Sequence, residues 1–469
     1  MSLRTVSIVA FVLGLFLDSP SLRGAEPARP NVLIILADDL TYKDLSCGGG
    51  KGVQTPHIDR IFSEGMTLAR FRTNSSVCSP TRAALMTGRY PDLVGVPGVI
   101  RTHPEDNWGE LSRDAVLMPT YLKPAGYTTA LIGKWHLGLS PPNVPTERGF
   151  DFFHGFLGDM MDDYNTHLRH GINYMRQNAE TIEPQGHATD LFTEWAIDVV
   201  RRPVFLSEPR LLPRDAYFPK LRLTLSPFFL LLTYNAPHAP IQPPADWLRR
   251  LRQREPQLSD LQARRAALVE HMDAGIGRVL EALSAAGLER NTLVVFTSDN
   301  GGPTYDGATN VPLRDGKGSM YEGGLRVPFA ARWPGRITPK STSDLSAVTM
   351  DLFPTVLEAA GVAIPKNIDG ISLLPTLLGK SQAVKRPLFF VRRDGGRAFL
   401  GNAIDAVIDG DWKLVHNSPF GPLELFNLRD DPGETRNLAG RERKRLDELA
   451  RLLQQHVQAA GGVPWQKFP

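Results

Sequence analysis

Four short apolar runs punctuate the chain, at 31–36, 127–132, 228–234 and 292–297, and each breaks abruptly into polar residues. Runs of this length, rich in branched and aromatic side chains, predict strands buried on both faces of a parallel sheet. Between them, helical spacing or Ala/Leu-rich composition predicts helices over 56–65, from Cys78 to Gly88, over 118–125, 188–200 and 259–286. Strands alternating with helices predict an α/β fold, a mostly parallel or mixed central sheet sandwiched by helices.

From about Arg386 the pattern shifts to short alternating runs at 387–392, 403–408, 412–416 and 423–428, then a helical stretch at 442–459. That texture predicts a small antiparallel sheet packed with one helix. The chain accordingly divides into a large unit over 26–385 and a small C-terminal α+β unit over 386–469. The segment 201–226, rich in Arg and Pro, reads as an inserted surface excursion.

Composition changes this picture little. With 53 basic against 50 acidic residues the net charge is +3, which gives no case for a nucleic-acid or membrane-surface partner. The N-terminus is more informative: Arg4 precedes an apolar run at 6–17 and a small-residue zone ending near Ala25. This predicts a secretory signal peptide over 1–25, too short for a stable membrane span, and an exported protein, periplasmic or secreted. Cys47 and Cys78 are the only cysteines, so disulfides do not build the fold. A bond between them would consume Cys78, so that pairing and a chemical role for Cys78 exclude each other; composition leaves both open.

The candidate chemistry gathers where the apolar runs end. Cys78 follows a small polar stretch and heads a predicted helix with Pro80 in its first turn; Arg82 lies one turn on. Free N–H groups, the helix dipole and that cation together suit an oxyanion such as sulfate or phosphate. The run at 31–36 ends in Asp38 and Asp39, and the run at 292–297 leads to Asp299 and Asn300. Together these offer an all-oxygen ligand set suited to Ca²⁺ or Mg²⁺ and not to zinc. The other two runs lead to Lys134 and His136 and to His238, and a Gly-rich segment at 314–324 carries Lys317. Ligands of open α/β sheets sit at the carboxyl ends of strands.

The motif Cys78-Ser79-Pro80-Thr81-Arg82, extended by Leu85-Met86-Thr87-Gly88-Arg89, resembles that of the sulfatase family within the alkaline phosphatase-like superfamily. The similarity runs from Asn31 to about Leu438 and includes Gly133-Lys134-Trp135-His136, Ala236-Pro237-His238, Ser298-Asp299-Asn300-Gly301 and Gly410-Asp411-Trp412-Lys413-Leu414. The resemblance implies that 26–385 is catalytic and that a dedicated maturation enzyme converts Cys78 to Cα-formylglycine (3-oxoalanine), whose hydrate is the nucleophile. It implies that Asp38, Asp39, Asp299 and Asn300, with residue 78, hold Ca²⁺, Mg²⁺ being the alternative. Attack on sulfur would give a covalent sulfo-enzyme. Arg82 would steady the hydrate, Lys134 and Lys317 neutralise sulfate charge, His238 protonate the leaving alcohol, and His136 take a proton as sulfate departs.

The implied substrate is a sulfate ester on a sulfated glycan or another small sulfated carbohydrate. Phosphodiester or phosphonate monoester hydrolysis on the same scaffold, and a catalytically silent glycan-binding homologue, are the alternatives. Within 155–167, Asp159, Asp163 and His167 form a candidate substrate-contact set alongside Asp162 and Tyr164. Asp315 departs from the family pattern and either adds charge near the anion site or faces solvent. The Asn74 sequon, four residues before Cys78, is discounted as a glycosylation acceptor.

Overall fold

The computed structural model describes residues 29–103, 109–207, 226–394 and 402–463. The predicted signal peptide lies outside the described residues. Among the described residues no helix is long and apolar enough to cross a membrane.

The apolar runs form the centre of a ten-stranded mixed sheet. Five adjacent parallel strands, in the order Thr292–Ser298, Asn31–Ala37, Phe228–Thr233, Thr128–Lys134 and Phe152–Phe156, make its core. Every residue of Asn31–Ala37, Phe228–Thr233 and Thr292–Ser298 is buried, as runs covered on both faces must be. The flanks are less regular: Phe329–Arg332 and Met175–Gln177 join antiparallel, one on each side. One group of helices, Pro56–Ser63, Ala188–Ser207, Ala245–Arg254 and Asp260–Ala285, packs together, and Cys78–Thr87, Met118–Leu122 and Leu352–Ala359 form another.

Register positions the chemistry. Ala37 pairs with Ser298 and Leu36 with Thr233, while Thr233 pairs with Gly133, so four strands end nearly level. Polar residues that follow those ends are therefore neighbours in space although far apart in sequence.

Several boundaries differ from expectation. The 127–132 run continues to Lys134, because Gly133 (φ +104°) lets the backbone pass where an added Cβ would lie 1.9 Å from Thr233 O. The expected helix at 118–125 is α-helical only over Met118–Leu122 and tightens into a 3₁₀ turn at Lys123–Ala125, where Pro124 lacks a donor. The helix expected at 188–200 extends to Ser207, so the start of the supposed excursion at 201–226 is helical; residues 208–225 of it lie outside the described residues.

The C-terminal strands Leu388–Asp394, Asn402–Asp409, Trp412–His416 and Glu424–Asn427 form an antiparallel meander. Alternation sorts its two faces. Val407, Leu414 and Leu425 pack on Leu446, Leu449 and Leu453 of the helix Arg443–Ala460. Ile404, Ala406, Val415 and Phe426 turn the other way, onto Ala84, Met320 and Leu325 of the larger unit. The helix that begins at Cys78 is thereby braced by the small sheet.

Candidate active site

Cys78 is the first residue of the helix Cys78–Thr87, which ends at Gly88 in the left-handed conformation. Its Sγ lies 3.5 Å from Asp38 Oδ1. Burial pushes the thiol's pKa up, and the Asp38 charge adds to the shift. A thiolate is thus disfavoured here, unlike at reactive cysteines, where nearby cations lower the pKa. Cys47 is exposed and Cys78 buried, and both are free, so the pairing left open by composition is not formed.

Around residue 78 the strand ends deliver a dense ionic cluster. Backbone bonds from Asp38 N to Ala236 O (3.2 Å) and from Asp299 N to Ala37 O (3.1 Å) stitch the ends together. Lys134 Nζ donates to Asp38 Oδ2 at 2.5 Å, and Lys317 Nζ to Asp39 Oδ2 at 2.8 Å. Arg82 donates from Nε and Nη2 to Asp299 Oδ2 at 3.0 and 2.8 Å, and from Nη1 to Lys134 O at 2.9 Å. Burial raises the Asp38 pKa, but Lys134, His238 and Arg82 outweigh it and hold the carboxyl well below the usual range. Asp299 is pushed up to about 6 by burial and by the Asp38 charge.

The histidines differ in their exposed chemistry. His136 Nε2 is 2.9 Å from the Ile100 carbonyl, and Nδ1 is buried with no hydrogen-bond partner among the described residues. A carbonyl only accepts, so Nε2 carries the hydrogen and Nδ1 the lone pair. Burial lowers the His136 pKa far below normal, with Lys134 and Arg82 contributing. His238 donates from Nδ1 to Ala239 O at 2.7 Å and turns Nε2 towards Asp39 Oδ2, 3.6 Å away. Asp39 and His136 both adopt positive φ, +68° and +62°, an uncommon conformation that gathers at functional sites.

Asp38, Asp39, Asp299 and Asn300 are buried together. Asn300 donates its amide to Asp39 Oδ1 at 2.6 Å, while its own Oδ1 is buried with no hydrogen-bond partner among the described residues. Ligand atoms from Asp38, Asp39, Cys78 and His238 lie within 4.8 Å of one another, a cluster that could hold a metal ion. Three carboxylates and an unsatisfied amide oxygen fit a hard divalent cation.

A cavity of about 400 Å³ opens onto Cys78, His136, His238 and Lys317. Arg82 and Lys134 are buried and do not line it. Of the proposed substrate contacts, Asp159 lines the cavity, held by Arg169 Nε at 3.0 Å. Asp163 and His167 do not line it. Asp163 caps a turn by accepting from Asn165 N and Thr166 N, each at 2.8 Å, and His167 Nε2 meets Gly186 O at 2.9 Å. Asp315 is exposed and accepts from Gly316 N, so it faces solvent. Asn74 is wholly buried and accepts from Met350 N at 2.8 Å, which closes the sequon to glycosylation. Sequence patterns missed Arg101, Tyr305 and Arg392, which also line the cavity; no local motif marks them.

The sulfatase family model matches residues 30–362, and a model described as N-sulphoglucosamine sulphohydrolase, C-terminal, matches 315–460. The chain is 33% identical to N-acetylgalactosamine-6-sulfatase of Mus musculus, over 96% of this chain and 83% of that protein. It is 32% identical to arylsulfatase A of Homo sapiens, over 92% and 88% respectively. The crystal structure of Ps i-CgsB in complex with k-i-k-neocarrahexaose matches with a TM-score of 0.81 and 28% identity, covering 94% of this chain and 95% of that one. A family model over most of the chain and relatives matched nearly end to end agree, so the chain belongs to the sulfatase family and is a sulfuric ester hydrolase.

Proposed function

We propose that the protein hydrolyses a sulfate ester of a sulfated carbohydrate, after export and after conversion of Cys78 to Cα-formylglycine by a maturation enzyme. The observation that carries this is the placement of residue 78: at a helix N-terminus, on a cavity, 3.5 Å from Asp38, and as a thiol whose ionisation burial opposes. The carbohydrate assignment draws support from the relative named for N-acetylgalactosamine-6-sulfate and from the one solved with a neocarrahexaose. Export draws support from the apolar run at 6–17.

Formylglycine supplies, as its hydrate, one hydroxyl to attack sulfur and a second whose deprotonation lets sulfate leave without water attacking a crowded tetrahedral centre. Calcium, or magnesium in its place, held by Asp38, Asp39, Asp299 and Asn300, supplies Lewis-acid polarisation of a sulfate oxygen. The protein's own groups do the rest. Lys134 and Lys317 bring fixed positive charge to the sulfate, and burial strengthens their effect. Burial lowers the Lys317 pKa, yet Asp39 and its neighbours raise it further, so the ammonium stays charged. His238, when protonated at both nitrogens, passes the Nε2 proton to the leaving oxygen, and His136 takes the proton of the second hydroxyl at Nδ1, which has no partner among the described residues. Arg82 fixes Asp299 and the Lys134 carbonyl, holding the cluster in shape.

Peptide mass spectrometry of the segment carrying residue 78, paired with hydrolysis of an aryl sulfate and an aryl phosphodiester by the same preparation, tests this. The expected result is the aldehyde at residue 78 and faster sulfate ester turnover. Full activity with an unmodified thiol, or much faster phosphodiester turnover, overturns it.

A further inference from the structure

The small sheet reaches into the catalytic cavity. Its edge strand Leu388–Asp394 runs beside the loop that follows the nucleophile helix, where Arg393 N donates to Pro97 O at 2.9 Å and Val99 N to Asp394 Oδ1 at 3.2 Å. Phe390 packs into the interface with the larger unit. Residues two and four positions on share its face, so Arg392 and Asp394 also point at the catalytic unit.

Arg392 is only partly engaged there. It donates from Nε to Asp394 Oδ2 and from Nη1 to Gly318 O, each at 2.5 Å. Its side chain keeps 13% exposure and lines the cavity, and nothing among the described residues accepts from Nη2. Arg101 lines the same cavity, with Nη2 3.7 Å from Asp394 Oδ1. One buried carboxylate, Asp394, thus faces two guanidinium groups on the cavity wall. The carboxylates around residue 78 are paired instead with Arg82, Lys134 and Lys317, so that cluster is separate from the Arg392–Asp394–Arg101 wall.

We infer that Arg392 and Arg101, braced by Asp394, form a second anion subsite that selects carbohydrate substrates bearing a further carboxylate or sulfate besides the sulfate that is cleaved. This rests on the carbohydrate sulfatase activity proposed above. Guanidinium groups suit the task because their planar fork matches carboxylate and sulfate oxygens. The small sheet therefore contributes specificity as well as bracing the nucleophile helix.

A structural alternative is that Arg392 only holds Gly318, next to Lys317. The two roles separate in inhibition of 4-nitrophenyl sulfate hydrolysis by matched disaccharides: one neutral apart from a single sulfate, one with a second sulfate, one with a uronate. The formylglycine-bearing enzyme should bind either dianionic sugar at least tenfold more tightly than the monosulfated one, and the preferred arm identifies the anion. Arg392→Gln should lower that ratio at least tenfold, Arg101→Gln should lower it too, and Arg392→Lys should restore part of it. A wild-type ratio near one, or an unchanged ratio in Arg392→Gln with a fall only in kcat on the aryl sulfate, overturns the subsite. Absence of aryl sulfate turnover by the matured wild-type enzyme would instead defeat the underlying sulfatase proposal.

Discussion

The guanidinium of Arg82 grips one carboxylate oxygen, Asp299 Oδ2, from two nitrogens, Nε at 3.0 Å and Nη2 at 2.8 Å, and has Nη1 on the carbonyl of Lys134. A fork that spans two strand ends fixes the orientation of a proposed metal ligand, and such supporting partners typically carry about 10–100-fold in metal affinity or activity. Arg82→Lys keeps the charge and loses the fork. The calcium concentration that restores half-maximal activity to chelator-treated enzyme should rise by about 10–100-fold in this variant. An unchanged calcium titration would show that Asp299 is held by other means.

Cys78→Ala separates chemistry from fold. The side chain is small, borders the cavity and donates one hydrogen bond among the described residues, to Asp38 at 3.5 Å, so its loss removes little packing. Turnover of an aryl sulfate should fall to background, while the urea midpoint should move by no more than about 1 kcal/mol equivalent. Activity near the wild-type level in the alanine variant would mean that residue 78 is not the nucleophile.

The candidate site was largely visible in the sequence because the proposed metal and anion ligands follow apolar strands. A parallel sheet whose strands end level must bring Asp38, Asp299, Lys134 and His238 together, as the pairing of Ala37 with Ser298 and of Thr233 with Gly133 does. What pattern could not reveal depends on packing between units. Arg392 sits in an ordinary alternating strand, and only the docking of Phe390 against the larger unit carries it to the cavity. The helix Ala245–Arg254 also escaped, since Leu251 is its only fully buried side chain, packed on Ala263 and Ala267. Asp163 and His167 illustrate the converse: polar residues close in sequence to Asp159 serve their own loop, capping a turn and meeting Gly186.

Asp273 should make stability depend on pH. It sits on Asp260–Ala285 and accepts from Ile58 N at 2.7 Å and His57 N at 3.3 Å, yet burial pushes its carboxyl up to about 7 despite those bonds. The folded state therefore binds this proton more tightly than the unfolded chain. The resulting stability is fully present below the unfolded carboxylate value and is lost as pH rises through about 7. Compared with Asp273→Asn, the wild-type urea midpoint should fall more steeply between about pH 5 and about pH 8. Parallel profiles for the two proteins would assign the ionisation elsewhere.

Lys413 joins the two units through charge with no access to water. From the small sheet its Nζ lies 3.0 Å from Glu322 Oε1 and 2.8 Å from Glu434 Oε1, and Arg72 of the larger unit holds Glu322 Oε2 at 2.8 Å from Nη2. All four side chains are almost wholly buried, and two cations balance two anions. Lys413→Met leaves Glu322 and Glu434 facing each other with Arg72 as the remaining cation of the four. Removing one partner from a buried ionic group costs about 3–5 kcal/mol, because the charge left behind is neither solvated nor paired. The double variant Lys413→Met/Glu434→Gln restores balance around the Arg72–Glu322 pair and should recover at least half of that loss. Urea unfolding of the three proteins measures it. If Lys413→Met stays within about 1 kcal/mol of the wild type, the apolar face built from Ile404, Ala406 and Phe426 alone suffices to hold the small sheet in place.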